Sequence, residues 1–366
     1  MYQKISILVA SVSLLSLSAC TTLADPQQNA APLQSQDTQT IAQVDDIYTL
    51  AQPLSDFTDF ILVKTGGDGQ GPQVVSLEDT IDDLVKYDVV FVGESHGHTA
   101  NHLLQTKVFA GLYARHNDMA LSMEQFERDQ QEALDQYLAG EIGESTLTKG
   151  DVGWRFYEQS YRPTVEIAKK NGLPVIAANA PGMAIRCIGM NGPDFVDTVT
   201  GEKRGWLART LNLQDGAYKD KYYGFAGGSR NHSPDADKAQ AEKDSPQFKS
   251  FSAQAMRDDT MAESIYDHMQ ANPGRKVMHT NGSFHSAAML GTVERLALRD
   301  PALKLANIHP VSVQDPDNPS FSAKDLEQGQ YIVLITSPPQ RFVKEENMKE
   351  FFKKTGMTMT NRKCEY

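Results

Sequence analysis

Short runs of β-branched and other apolar residues recur along the chain, each followed by a stretch whose apolar positions fall three or four apart. Residues 88–93 (DVVFVG) form such a run, and the stretch to Arg115 sets Leu103, Leu104, Val108, Phe109 and Leu112 on one helical face. Residues 119–123 (MALSM) repeat the pattern ahead of a polar helix carrying Leu134 and Leu138. A helix over 161–170, stopped by Asn171-Gly172, leads into 174–178 (PVIAA). A long helix with Phe251, Met256, Ile265, Tyr266 and Met269 enters 275–280 (RKVMHT), which a helix beginning near His285 leaves. Residues 304–313 and 331–336 (YIVLIT) are further strand candidates. Apolar strands alternating with helices predict an α/β fold: a mostly parallel β-sheet covered by helices on both faces. Between about 192 and 247 the pattern gives way to Gly, Asp, Lys and aromatic residues, which predicts an insertion of helices and loops. Met256, Met261 and Met269 read as core filler on the long helix.

The first residues break this pattern. One Lys within residues 1–4, an apolar stretch over 5–17 and small residues up to Cys20 have the layout of a secretory signal, too short to span a bilayer. The small residues before Cys20 resemble a bacterial lipobox, which implies a signal peptide over 1–19 and a lipid on Cys20 that anchors the protein to a membrane. Thr21 in place of Asp removes the usual inner-membrane retention signal, so the expected address is the outer membrane of a Gram-negative envelope. Residues 20–46, rich in Gln, Ala, Asp, Thr and Pro, read as a flexible tether, 47–345 as the folded domain and 346–366 as a tail.

The 366 residues carry 35 Lys and Arg against 47 Asp and Glu, a net charge of -12 that argues against gripping nucleic acid through its phosphates. Of three Cys, Cys20 is assigned to lipid; Cys187 and Cys364 could pair in an oxidising compartment, and sequence leaves that open.

Candidate chemistry gathers where the strands end. In open parallel sheets ligands bind beyond the strands' carboxyl ends. Four predicted strands are followed there by Gly93-Glu94-Ser95-His96, Glu124, Asn179 and Gly282-Ser283-Phe284-His285. Two Gly-x-x-His turns, with Glu94 inside the first and Glu124 closing the next strand, would face two imidazoles and two carboxylates into one crevice. Glu94, His96, Glu124 and His285 could hold a divalent metal or act as acid and base on a bound water. A helix-face pair, His98 and His102, lacks the intervening Glu of a zinc-protease motif and reads as a solvated or supporting face. Arg257 is a candidate partner for Glu124.

These residues resemble a known family. The strings Val90-Phe91-Val92-Gly93-Glu94-Ser95-His96, Ser122-Met123-Glu124-Gln125-Phe126, Tyr161-Arg162-Pro163, Ala178-Asn179-Ala180-Pro181, Arg257-Asp258 with Thr260-Met261-Ala262, and Asn281-Gly282-Ser283-Phe284-His285 are similar to the ChaN family of haem-binding lipoproteins, in the wider group of Tiki metalloproteases and erythromycin esterases. The resemblance covers about residues 48–336. It implies an outer-membrane α/β domain that binds haem in iron acquisition, with haem and iron transport proteins of the envelope as partners. In its hydrolytic relatives the matching histidines and glutamates support hydrolysis.

Haem needs an axial ligand, an apolar slot and cations for its propionates. A phenolate suits ferric iron, and Tyr157 and Tyr161, four apart beside Trp154, are the leading candidates, with Arg155 and Arg162 for the propionates. Asn179 and Arg257 complete the candidate cofactor-binding set; Tyr222, Tyr223 and His232 are second choices. A flat ligand is readily buried between two subunits, which suggests a homodimer. Two other readings stand beside haem binding: a periplasmic peptide or ester hydrolase using Glu94, His96, Glu124 and His285, and a structural lipoprotein that tethers envelope proteins.

Overall fold

Alternate side chains of the central strands serve two different cores, and this fixes the architecture. In a computed structural model that describes residues 41–67, 70–149, 152, 154, 156–226, 243–360 and 363–366, the strands in chain order are β1 (Ile41–Val44), β2 (Ile47–Leu50), β3 (Phe60–Lys64), β4 (Gln73–Val75), β5 (Val89–Glu94), β6 (Met119–Glu127), β7 (Val175–Asn179), β8 (Lys276–Gly282), β9 (Leu305–Val313), β10 (Ser320–Ser322) and β11 (Tyr331–Thr336). Eight form one sheet in the order β4-β3-β11-β9-β5-β8-β6-β7. The six from β11 to β7 are parallel, and β3 and β4 close one edge antiparallel.

Val90 and Val92 of β5 point into a core with helices α1 (Leu77–Leu84), α2 (Thr99–Arg115) and α3 (Arg162–Lys170). Val89 and Phe91 point the other way, against Met261, Ala262 and Ile265 of the long helix α6 (Pro246–Ala271) and Val293 and Leu296 of α7 (Thr292–Arg299). With both faces covered, β5 is buried along its whole length, and period-two alternation disappears from its sequence. Ser76 and Ser245 accept hydrogen bonds from the third residues of α1 and α6, the capping that favours Ser at these starts. A Cβ on Gly111 of α2 would lie 2.3 Å from Ile81 Cδ1, so only glycine lets α1 and α2 approach this closely.

Several expectations change. The segment read as a tether to residue 46 holds β1 and the start of the β1–β2 hairpin, which pairs with β10 in a separate three-stranded sheet. Two short 3-10 turns over 283–289 precede α7, so no helix begins at His285. The described part of the segment read as an insertion holds short helices, among them α5 (Ala217–Phe225), which follows α4 (Gly182–Asn191) in the chain; residues 227–242 lie outside the described residues. Met256 and Met261 are fully buried and Met269 packs on the core, as read. Residues 346–366 are not a loose tail: α8 (Glu345–Thr360) occupies most of them. Beyond it Cys364 is bonded to Cys187 of α4, across Cα atoms 5.0 Å apart. Tyr366 packs against the core under the Lys203 ammonium. Among the described residues no helix is long and apolar enough to cross a membrane.

The disulfide closes a loop of 177 residues in sequence. Replacing Cys364 with Ser should lower the urea-unfolding free energy by about 2–4 kcal/mol. An unchanged midpoint would mean that the tail contributes nothing to the domain.

Candidate functional site

β5, β8, β6 and β7 are consecutive in the sheet and all parallel, so their carboxyl ends lie side by side. Glu94 pairs in register with Gly282, and the sequence-predicted Glu94, His96, Glu124 and His285 come together at this edge.

Glu94 is the hub of one half. Its Oε1 accepts from His96 Nδ1 at 2.6 Å, the Tyr161 hydroxyl at 2.7 Å and Gln125 Nε2 at 3.3 Å. Its Oε2 accepts from Gln105 Nε2 at 2.8 Å, with His102 Nδ1 at 3.5 Å. Burial pushes this carboxyl up, but the His96 hydrogen bond and the charges of His102 and His96 outweigh it and hold Glu94 below the usual range. His96 responds in the opposite sense: burial lowers it, while the Glu94 hydrogen bond and Glu124 charge leave it raised. Its side chain is 45% exposed. Trp154, at φ +65° in the region L side chains rarely adopt, sets its ring edge-on to His96 at 4.9 Å. Strain of order 1 kcal/mol is tolerated here to hold the wall of the site. Gly282 faces His96 from β8: a Cβ there would lie 2.7 Å from His96 Nε2.

Glu124 centres the other half. Its Oε2 accepts from the Gly282 N–H at 2.6 Å, and its Oε1 lies 3.3 Å from His285 Nε2. His285 Nδ1 in turn donates to Asp258 Oδ1 at 2.7 Å, and Asp258 is also held by Thr292 and Tyr218. Burial opposes a charged His285, but Glu124 and Asp258 outweigh it and raise the imidazole to about 10. Glu124 and Asp258 lie below their ordinary values despite burial, chiefly through the His285 charge. Asp258, Gln105, Gln125 and Gln254 complete the site without having been singled out as site residues in the sequence.

The divalent-metal expectation finds no support: among the described residues no group of three or more His, Cys, Asp or Glu is arranged to hold a metal ion. Glu94 accepts from four side chains, and Glu124 from the Gly282 N–H with His285 beside it.

Other candidates are placed differently from the expectation. Tyr157 and Tyr161 are each 1% exposed in the largest core, around a π-turn over Tyr157–Tyr161 that precedes α3. Burial and then the Glu94 charge push the Tyr161 phenol far up, and its hydroxyl donates to Glu94. Arg162 forks onto Glu144. The Asn179 amide donates to the Glu124 carbonyl at 3.0 Å and its oxygen accepts from Ala180 N–H, so both ends serve the backbone. Arg257 is half-buried and acts on Glu127; Glu124 takes His285 instead. His98 and His102 are buried, not solvated: His98 bonds the Thr336 carbonyl, and His102 accepts from Gly97 N–H and supports Glu94. Tyr222 and Tyr223 are buried. Arg155, His232 and Cys20 lie outside the described residues.

Fold and site together define a parallel α/β protein with a carboxylate-imidazole site on the carboxyl edge of its sheet. Residues 80–296, more than half of the chain, match the family described as "Haem-binding uptake, Tiki superfamily, ChaN", and the chain belongs to that family. No curated protein sequence matches it. Among solved structures it is similar to "Cofacial heme binding to ChaN of Campylobacter jejuni" at 19% identity and TM-score 0.53, over 78% of this chain and 100% of that one, which shows a shared fold. An erythromycin esterase variant, EreC in its open conformation, aligns at 11% identity and TM-score 0.40, over 81% of this chain and 87% of that one.

Two measurements check the site. Glu94→Gln should lower the His96 pKa, read from its ring protons by NMR, because the carboxylate hydrogen bond that raises it is lost; an unchanged value would place the control elsewhere. His285 is raised from 6.5 to about 10, so its stabilisation is complete below pH 6.5 and is lost as pH rises through 10. The lowered carboxylates act in the opposite sense, stabilising above about their ordinary 4.5 and losing this in acid. Urea midpoints should therefore be highest between these limits and fall toward pH 10, and His285→Gln should flatten the alkaline limb.

Proposed function

We propose that the chain binds haem at the carboxyl edge of its sheet, with His96 as the iron ligand. The observation that carries this is the state of His96. Its Nδ1 is fixed on a buried carboxylate, no hydrogen-bond partner is described for Nε2, and the ring is the half-exposed one among the four predicted site residues. A carboxylate behind an imidazole fixes its tautomer and enriches the far nitrogen, which fits an axial donor. The tyrosines do not fit, being buried and held protonated. When bound, haem supplies an iron that takes the imidazole as ligand. The protein's part is to hold His96 between Trp154 and Gly282, keep Glu94 ionised and keep the proton on Nδ1.

Iron acquisition is the role that suits a haem-binding uptake family. We place the protein on the outer membrane, anchored through lipid on Cys20. The lipobox-like residues before Cys20 support the anchor, and the Cys187–Cys364 disulfide supports an oxidising compartment. Haem and iron transport proteins of the envelope are then the partners that deliver or receive the ligand. A second copy of the chain suits the open face of a flat ligand. The hydrolase reading draws on one observation, the Asp258-His285-Glu124 relay, which could move protons.

Titration of the purified protein with haemin tests the reading. A shifted Soret band should appear in the wild type, weaken at least about ten-fold in His96→Ala and about 10–100-fold in Glu94→Gln, and persist in Tyr161→Phe. Because protons compete for the raised His96 ring, affinity should fall as pH drops through its titration. No Soret shift, together with ester or peptide cleavage that His285→Ala abolishes, would favour the hydrolase.

A further inference from the structure

The last helix of the chain leaves an apolar face in water. Between Arg341 and Lys354 every residue is exposed except Phe342 and Phe351, which are half-buried. Within α8, Met348, Phe351, Phe352 and Thr355 fall at the i, i+3, i+4 and i+7 positions of one face. Phe352 is 57% exposed and Met348 38%, and Val343, just ahead of the helix, is 84% exposed. The rings of Phe342, Phe351 and Phe352 stand 5.3–6.4 Å apart, and the Arg341 guanidinium lies 4.3 Å from the Phe351 ring centre. Lys349, three residues before Phe352, and Lys353, four further on, form the row beside this face. Lys349 pairs with Glu345 and Lys354 with Glu350 along the helix, in exposed contacts that hold the lysines weakly. The chain enters α8 from β11, and Cys364 beyond it is bonded to Cys187, so the segment is tied to the domain at both ends. It lies past residue 296, where the match to the family ends.

We propose that α8 is a membrane-surface helix: its Met348 and Phe352 face enters the headgroup region of an anionic bilayer, while Lys349 and Lys353 meet lipid phosphates. Charge selects this occupant. Residues 341–354 carry five Lys and Arg against three Glu in a chain whose net charge is -12, so a basic strip stands on an acidic molecule. An anionic bilayer repels the rest of the protein and attracts this strip. Size argues against a second protein. Three exposed apolar side chains offer on the order of 500 Å², below the roughly 800 Å² per partner of a standard protein interface. A lipid surface needs no matching shape, and lysine stems lie along it with their ammoniums in water. The proposal goes beyond haem binding and does not depend on it, nor on a lipid at Cys20. Were Cys20 acylated, the helix would be a second attachment that fixes which way the domain faces.

The experiment is vesicle sedimentation of the protein beginning at residue 21, a form that keeps every described residue. Vesicles of equal parts phosphatidylglycerol and phosphatidylcholine should bind the wild type at least about ten-fold more tightly than vesicles of phosphatidylcholine alone. Phe352→Ser should weaken binding to the anionic vesicles about ten-fold, the loss of one buried phenyl ring, and Phe352→Trp should restore it. Lys349→Gln combined with Lys353→Gln should reduce the preference for anionic vesicles about ten-fold, and high salt should act in the same direction. Phe352 belongs to none of the described cores, so urea midpoints should match the wild type. Haemin titration should be unchanged in Phe352→Ser, which separates a failure of this proposal from a failure of the haem reading. Equal binding to both kinds of vesicle, binding to neither, or anionic binding that survives Phe352→Ser would overturn the proposal. Concentration-dependent dimerisation that Phe352→Ser abolishes, without vesicle binding, would overturn it in favour of a second copy of the chain.

Discussion

Two buried carboxylates, on parallel strands that flank β8, constrain everything around them. Glu94 is 2% exposed and Glu124 4%. A charge taken out of water is costly unless donors and opposite charges surround it. Four segments supply that environment for Glu94: His96 from the turn after β5, His102 and Gln105 from α2, Gln125 from β6 and Tyr161 from the turn before α3. The wide π-turn at Tyr157–Tyr161 occurs where the Tyr161 hydroxyl meets Glu94, a typical setting for such an irregularity. Glu124 draws in the β8 backbone and His285, and through it Asp258 from the middle of α6. The sheet therefore sets the position of the carboxylates, and the carboxylates set the orientation of the loops.

Because His285 is bonded at both ring nitrogens and His96 only at Nδ1, the site separates into a closed half and a reachable half. Asp258, His285 and Glu124 form the closed half, locked by charge, and His285 is 6% exposed. His96, with Trp154 against one side and Gly282 against another, is the reachable group. The chain's net charge of -12 adds a background that disfavours an anionic ligand. Affinity for haem under the proposed reading must then come mainly from coordination and from apolar contact, and His96 stands half-exposed beside Trp154.

The residues that sit at strand ends were legible in the sequence, because an apolar run, a Gly and a His in close order mark a βα turn wherever they occur. Glu94, His96 and His285 were readable for that reason and Glu124 because it closes an apolar run, and the strand order then placed them together. Asp258 has no such marker: it is one acidic residue among several on a long helix, and only the packing of α6 on β8 brings it to His285. Tyr161 was visible as chemistry, but spacing in sequence says nothing about its burial beside a carboxylate. His102 was read as solvated or supporting, and helix periodicity, which turns it toward Glu94, decides for the second. The antiparallel edge strands β3 and β4 and the β1–β2 hairpin escaped the alternation of strand and helix because no helices separate them. The disulfide closes a long-range contact between a helix and the far end of the chain, beyond the reach of any local pattern.

The central claim is that an ionised, fully bonded Glu94 leaves His96 as the group that meets the iron. A crystal structure of the haemin complex measures this directly. The account predicts iron bonded to His96 Nε2, with His96 Nδ1 and the Tyr161 hydroxyl still on Glu94. Iron bonded to a tyrosine oxygen, with Tyr161 drawn away from Glu94, would contradict it.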